Sequence, residues 1–382
     1  MILIALCPVG FEKTLSLEIK KLALNSGILY RIIDLSYGKL RFETDIKGLY
    51  YALIGLRTAD RILLQCASSV VHDFDDLFEL AHNIPFEDYI PKNMPLIIEK
   101  VRTNRSSLSA KTSIQSVAHK AIASRLCTKY GLRRLAENGI PAALRIYIEK
   151  DKAEILLDLC GDPLYKRGYR TEGGIAPLRE TIAAAALLSS GWKRKYPLYD
   201  PFCGSGTIAI EAALYAYNIA PGLGRNFFLE KLLFISKKDI VTAREFFLQK
   251  IDYSYNVCIT GSDYDNTLIE TAKRNLRRAF NIKNPPDNFS SVKFYTLPAG
   301  DTQTFENNGF IVTNPPYGIR LGDTAAAEEN YKKMAVFKDR FSGWHIIVLS
   351  DHEGFESYFG GKADSCREII CGALKLYLYT FH

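Results

Sequence analysis

Apolar and polar residues follow two different rhythms along this 382-residue chain, and the change falls near residue 196. Before it, short apolar runs at residues 2–6, 28–35, 40–42, 96–101, 144–148 and 154–159 predict strands. Between them lie stretches with apolar positions three and four apart. Leu15, Ile19, Leu22 and Ala23 share one such helical face. Ile114, Val117, Ala118, Ala121, Ile122 and Leu126 share another, with Ser113 as the expected N-cap. These are core positions, because burial requires that spacing. Residues 50–66 are apolar and partly helical, 74–81 predict a short helix, and Pro85, Pro91 and Pro95 mark a loop.

From residue 196 strands alternate with helices: strands at 198–200, 257–263, 292–297, 310–313 and 345–350, helices at 208–217 and 268–280. That alternation predicts a parallel, doubly wound sheet, an α/β architecture. Residues 374–381 alternate cleanly and predict an antiparallel strand closing the sheet. Between the two regions runs Tyr165-Lys-Arg-Gly-Tyr-Arg170, then Thr171-Glu-Gly-Gly174, a composition suited to a linker. A helix is expected to begin at Pro177, since proline suits a first helical turn.

The length exceeds what one hydrophobic core usually serves, so more than one domain is expected. With 47% hydrophobic and 24% charged residues, a largely disordered chain is excluded. The net charge of +7 suits a polyanionic partner without demanding one, and its distribution says more. From Val101 to Arg134 there are eight cations (Arg102, Arg105, Lys111, Lys120, Arg125, Lys129, Arg133, Arg134) and no carboxylate. Such a run attracts phosphate backbones, against the alternative of a solvated basic face. Eight cysteines stand apart, with no Cys-x-x-Cys pair and no histidines at ligand spacing, so no metal is expected and the thiols read as reduced. No stretch approaches the roughly 20 apolar residues of a membrane span. A cytoplasmic protein is expected.

In an open α/β sheet, ligands bind beyond the carboxyl ends of the strands. After the first of these strands comes Asp200-Pro-Phe-Cys-Gly-Ser-Gly-Thr207, where Gly204 and Gly206 let the backbone turn tightly before a helix. Neither a phosphate-binding lysine nor a third glycine follows at the required spacing, which disfavours a triphosphate or a dinucleotide. The second strand ends at Asp263, placed to accept from ribose hydroxyls; Asp301 follows the third, placed to accept from an adenine amine. The fourth is followed by Asn314-Pro-Pro-Tyr317. There the Asn314 side-chain oxygen and the Pro315 carbonyl can each accept one N–H of an aromatic amine, drawing its nitrogen towards sp³ geometry. Pro315 and Pro316 fix φ and preorganise these acceptors, and Tyr317 offers a ring for a base removed from its stack. The electrophile matching this site is the sulfonium methyl of S-adenosylmethionine.

Taken together, these residues resemble the class I methyltransferases of the bacterial THUMP-domain type, similar to those that methylate guanine N2 in large-subunit ribosomal RNA. The matching stretches are Leu164-Tyr-Lys-Arg-Gly-Tyr-Arg170, Ala176-Pro-Leu-Arg-Glu-Thr181, the 200–207 loop with Ile210-Glu-Ala-Ala213, Ala220-Pro-Gly222, Gly261-Ser-Asp-Tyr-Asp265, and Thr313-Asn-Pro-Pro-Tyr-Gly318 with Arg320-Leu-Gly322. They span nearly the whole chain.

The resemblance implies a ferredoxin-like subdomain at 1–48, a THUMP RNA-binding domain at 49–160, a linker at 161–176 and a Rossmann-like methyltransferase domain at 177–382. It further implies that Thr181, Asp200, Phe202, Cys203, Gly204, Ser205, Gly206, Thr207, Asp263 and Asp301 surround S-adenosylmethionine, with Thr181 at its amino-acid end. RNA contacts are expected from Arg102, Arg105, Lys111, Lys120, Lys166, Arg167 and Arg170. Two departures stand out. The chain carries one methyltransferase domain where some relatives have two, so a second activity is not expected. It also has Ile319 where many relatives place an acid.

The expected activity is methylation of a guanine N2 in RNA, ribosomal RNA first and transfer RNA next. Adenine N6 methylation, modification of a protein glutamine amide, and an RNA-binding assembly factor with a silent site are the alternatives. Residues 221–255, separating a helix from the next strand, exceed a usual connection and have no assigned role.

Overall fold

The structure is a computed structural model that describes residues 1–170, 178–281, 292–301, 307–317 and 324–382, apart from the side chains of 324–326. In the N-terminal half, alternation of apolar and polar residues builds β1 (Ile2–Leu6), β2 (Arg31–Ser36), β3 (Lys39–Glu43), β4 (Arg61–Val70), β5 (Leu96–Asn104), β6 (Ala142–Glu149) and β7 (Lys152–Asp158). They form one seven-stranded sheet in the order β2-β3-β1-β4-β7-β6-β5. Helices α1 (Glu12–Ser26), α2 (Ile46–Gly55), α3 (Phe74–His82) and α4 (Lys111–Tyr130) accompany it. Leu3, Ala5, Leu40, Phe42, Ile62 and Leu64 join the main core with α1 and α2 residues such as Leu15 and Leu49. The alternate positions Ile4, Leu63, Tyr147 and Leu156 form a separate small cluster. Among them lie the ion pairs Arg41–Glu154 (2.5 Å) and Arg61–Asp158 (2.6 Å).

The boundary expected at residue 48 falls inside α2. β4, beyond that boundary, pairs with β1 on one side and β7 on the other, so both N-terminal units share one sheet. A second expectation also shifts. α4 begins at Lys111, not behind Ser113, because the Ile114 N–H already reaches the Ala110 carbonyl (3.0 Å) and closes the first turn without a side-chain cap.

The C-terminal half contains α5 (Glu180–Ser189), β8 (Leu198–Asp200), α6 (Thr207–Ala216), α7 (Lys237–Gln249), β9 (Ile259–Asp263), α8 (Asn266–Phe280), β10 (Val292–Thr296), β11 (Phe310–Thr313), α9 (Thr324–Met334), β12 (His345–Ser350), β13 (Ser365–Cys371) and β14 (Leu374–Phe381). Strand order is β10-β9-β8-β11-β12-β14-β13. The first five are parallel, and β14 and β13 close the sheet antiparallel. The expected start of α5 at Pro177 lies outside the described residues. β8 is flanked by β9 on one side and β11 on the other, so the chain reverses its order between β8 and β11. Such a switch point opens a crevice at the strand ends.

The long 221–255 connection is a clamp between the halves. Its α7 packs Phe246 and Phe247 on Tyr51 of α2, with ring centroids 4.7 and 5.3 Å apart. Gly222 donates to the Ile54 carbonyl (2.9 Å), and a Cβ there would meet Ile54 Cα at 2.7 Å. Phe228 and Leu229 donate to Cys160 and Leu159, and Arg225 donates to the carbonyls of Asp162 (2.6 Å) and Pro163 (2.7 Å).

Candidate active site

Four strands of the second sheet deliver their ends to one rim. Asp200 closes β8 with 1% of its surface exposed and accepts from the Thr313 hydroxyl (2.7 Å) at the end of β11 and from the Phe202 N–H (3.3 Å). Burial, reinforced by the charge of Asp263, pushes its carboxyl up to about 7. Among the described residues no cation offsets that cost and only neutral donors reach it.

The loop after Asp200 turns through Gly204 and Gly206, both in the left-handed region at φ +51° and +85°. At Gly206 a Cβ would press on Ala272 and Phe294 at 3.0 Å. The loop is tied down from several sides: Cys203 N–H to the Ser262 carbonyl (2.9 Å), Gly206 N–H to the Cys203 carbonyl (2.8 Å), and the Asn275 amide to the Ser205 carbonyl (3.1 Å). Asp263 accepts from the Gly204 N–H (3.0 Å) and, on its other oxygen, from the Asp265 N–H (3.1 Å). With the Tyr264 N–H as a third backbone donor, the carboxylate still keeps a lone pair for a ligand hydroxyl. Asp301 is exposed, on a short turn anchored through the Leu297 N–H to the Asp263 carbonyl (2.9 Å). Asp200, the loop, α6's first turn, Asp263 and Asp301 therefore stand at or just beyond the carboxyl ends of neighbouring strands of one sheet, the position at which an open α/β sheet takes its ligands.

Asn314 follows β11 directly, so the Thr313–Asp200 hydrogen bond joins the Asn-Pro-Pro-Tyr turn to the glycine loop. The Tyr317 hydroxyl donates to the Asn314 side-chain oxygen. Burial, with the charge of Asp351, raises the Tyr317 phenol, which therefore stays protonated and a donor. An amide oxygen has two lone pairs, so Asn314 keeps one for an incoming amine. Pro315 is buried, and the Pro316 carbonyl accepts from Tyr331 of α9 (3.4 Å).

Three comparisons bear on this arrangement. Over residues 167–379 the chain matches the RMKL-like methyltransferase domain, and over residues 2–63 the RlmL ferredoxin-like domain. It is 36% identical to YpsC of Bacillus subtilis (strain 168), which carries the provisional name of RNA methyltransferase, over 99% of this chain and 95% of that protein. The chain belongs to the RMKL-like methyltransferase family. The ribosomal RNA large subunit methyltransferase K/L of Vibrio cholerae is 31% identical over 96% of this chain, but the match covers only 51% of that protein. This chain spans about half the length of such K/L relatives.

Among solved structures, the methyltransferase SMU.472 in complex with SAH superposes with a TM-score of 0.87 at 32% identity, covering 100% of this chain and 97% of that one. A Listeria monocytogenes protein provisionally named an N6-adenine-specific DNA methylase gives 0.88 at 34% identity, covering 100% and 96%. As an RMKL-like methyltransferase with a SAH-bound structural relative, the chain uses S-adenosylmethionine as methyl donor.

Other expected site residues of this RMKL-like chain are held by partners within the chain. Thr181 is fully buried and its hydroxyl donates to Asp60 (2.5 Å) of the N-terminal half. Arg167 is 6% exposed, donating to the carbonyls of Leu164 (2.8 Å) and Arg57 (2.5 Å) beside Glu211 (3.5 Å). It fastens the linker and is not available to RNA. Arg170 turns inward to Glu180 (2.9 Å) and Thr207 (3.4 Å), and Lys166 is exposed but paired with Asp162 (2.8 Å).

Arg102, Arg105, Lys111 and Lys120 are exposed. Lys120 also lines a groove of about 660 Å³ with His119, Arg133, Arg134 and the apolar Leu96 and Leu135. Sequence reasoning missed Thr313 and Asn275 as supports of the site. Asn275 carried a signal: it is fully buried on the apolar stripe of α8, where an amide is kept only for a partner. Among the described residues no helix is long and apolar enough to cross a membrane, and no cluster suits a metal.

Proposed function

We propose that this chain methylates the exocyclic N2 amine of a guanine in RNA, with 23S ribosomal RNA as its substrate. The observation that carries the reading is the Thr313–Asp200 hydrogen bond, which holds an amine-accepting turn against a cofactor-type loop at one switch point. The names of the K/L relatives, of whose length this chain spans about half, support ribosomal RNA of the large subunit, and the basic groove around Lys120 supports a phosphate backbone; the choice of guanine rests on the resemblance of the motifs.

An aromatic amine is a poor nucleophile because its lone pair is delocalised. Asn314 and the Pro315 carbonyl accept its two N–H groups, localising the lone pair, while the Tyr317 ring supports the extruded base. S-adenosylmethionine supplies a methyl already activated by positive sulfur. Positioning therefore carries most of the catalysis, and the proton lost afterwards passes to water.

Adenine N6 is the second reading, favoured by the name of the Listeria relative. Methyl transfer from labelled S-adenosylmethionine to RNA from cells lacking this protein, followed by nucleoside digestion and mass analysis, separates the two. N2-methylguanosine in 23S RNA is the expected product; N6-methyladenosine replaces the base assignment, and no RNA label overturns both.

A further inference from the structure

Behind the Asn-Pro-Pro-Tyr turn, hydroxyl groups connect it to the end of the neighbouring strand. Tyr331 is fully buried; it donates to the Pro316 carbonyl (3.4 Å) and accepts from Ser350 (3.2 Å), the last residue of β12. The Ser350 hydroxyl oxygen also accepts from the His352 N–H (3.1 Å). Between Ser350 and His352 stands Asp351. β11 and β12 run parallel with Thr313 opposite Val348, so the residues following the two strands emerge side by side on the same rim. Asp351 is half-buried there, near enough to Tyr317 and Tyr331 for its charge to raise both phenols.

No cation among the described residues makes an ion pair with Asp351, and its neighbour His352 faces Glu328 (3.5 Å) instead. Burial raises its carboxyl, with only its own backbone N–H and His352 opposing. A half-buried carboxylate without a cationic partner is costly unless a ligand donates to it. The nearest chemistry is the turn that receives the base.

Guanine presents two adjacent donors on its Watson–Crick edge, the N1–H and the N2 amine. Adenine presents a bare N1 lone pair beside its N6 amine. With the amine held by Asn314 and Pro315, the ring nitrogen next to it on the Watson–Crick edge is N1 in either base. We propose that Asp351 determines specificity, its carboxylate accepting the N1–H of an extruded guanine and repelling the N1 lone pair of adenine. This rests on the guanine reading above. It selects by an attraction and a repulsion at one atom. Asn314 and Tyr317 alone serve either amine.

The test uses the full chain and the RNA fragment labelled in the preceding assay, made once with guanine and once with 2-aminopurine at the target. 2-Aminopurine keeps the amine but lacks the N1–H. The parent should prefer guanine by about 10- to 100-fold in kcat/KM, the effect of one hydrogen bond to a charged group. Asp351→Asn should lower guanine turnover by a similar factor and bring the guanine to 2-aminopurine ratio towards one, with cofactor affinity unchanged and Tm of the RNA-free protein no lower than the parent's. Asp351→Glu, which keeps the charge, should retain most of the preference.

An Asp351→Asn variant with the parent's ratio overturns the assignment of Asp351 alone. A parent that forms no N2-methylguanosine overturns the guanine reading and this proposal together. Loss of cofactor binding in both variants marks Asp351 as structural and also overturns it.

Discussion

The two seven-stranded sheets bury their polar groups on different terms. In the first, the charges lie along the strands and answer one another: Arg41 with Glu154 (2.5 Å), Arg61 with Asp158 (2.6 Å), and Arg145 with Asp158 (3.4 Å). In the second, the strand middles are apolar, and the buried polar residues Asp200, Ser262, Asp263 and Thr313 gather at or beside the strand ends. Among the described residues the acids there meet neutral donors only, from Thr313 and the backbone of Phe202, Gly204, Tyr264 and Asp265. Charges closed among themselves build a scaffold. Carboxylates satisfied only by neutral donors remain open to a ligand, and that difference separates the site from its support.

The strongest challenge to the contrast is to loosen the joint between the sheets. Phe247 fills the space over Gly55 and packs on Tyr51, so Phe247→Ala should cost about 3 to 5 kcal/mol. Because one core cluster runs through both halves, chemical denaturation should still show one transition, shifted as a whole. Two separated transitions, followed by tryptophan fluorescence and by circular dichroism, would mean that the halves fold independently.

The terms of burial also predict a pH dependence. The Asp200 carboxyl is raised from 3.8 to about 7 on folding, and Glu180 from 4.5 to about 7. The folded state thus favours the protonated acids. Their stabilising contribution is full below pH 4, falls as pH rises through the folded values, and levels off above them. For Asp200 the loss approaches about 4 kcal/mol at most, at 1.36 kcal/mol per unit. Cofactor-free protein should therefore lose Tm between about pH 4 and pH 7, and Asp200→Asn should flatten part of that slope. An identical slope in the variant would remove Asp200 as its source.

Within the site, Asn314→Ala should leave cofactor affinity nearly intact and lower kcat by about 10²-fold or more, as for a lost acceptor in the transition state. Single-turnover assays with isothermal titration of the cofactor separate the two effects. Equal turnover in variant and parent would exclude Asn314 from the chemistry.

The strand ends were legible in sequence because each is a local signal: a strand, then Asp200 or Asn314 at its close followed by proline, or Asp263 at its close ahead of a helix. The strand β14 was legible for the same reason, by clean alternation. What escaped depends on distant partners. Pairing of β4 with both β1 and β7 merges two expected domains, and nothing near residue 61 announces it. Arg167 in Lys-Arg-Gly-Tyr-Arg reads as a surface cation until Glu211, far along the chain, comes within 3.5 Å. The 221–255 segment looked like an unassigned loop because its apolar partner, Tyr51, belongs to the other half.

The smallest expected effect lies on the scaffold side, where, among the described residues, no acid pairs with the exposed Lys111 or Lys120. Lys111 and Lys120 stand on the outer surface of α4, Lys120 beside Arg133 and Arg134 in the groove. If they meet phosphates, each lysine removed releases about one counterion fewer, so Lys120→Ala should reduce the salt slope of log K for RNA by about one and weaken binding several-fold at 0.15 M salt. kcat at saturating RNA should not change, because α4 belongs to the first sheet and the chemistry to the second. Fluorescence anisotropy across a salt series reads the slope. An unchanged slope for Lys111→Ala and Lys120→Ala together would move the RNA path off α4, and a fall in kcat with unchanged affinity would mean that the scaffold and the site are coupled more closely than their burial terms imply.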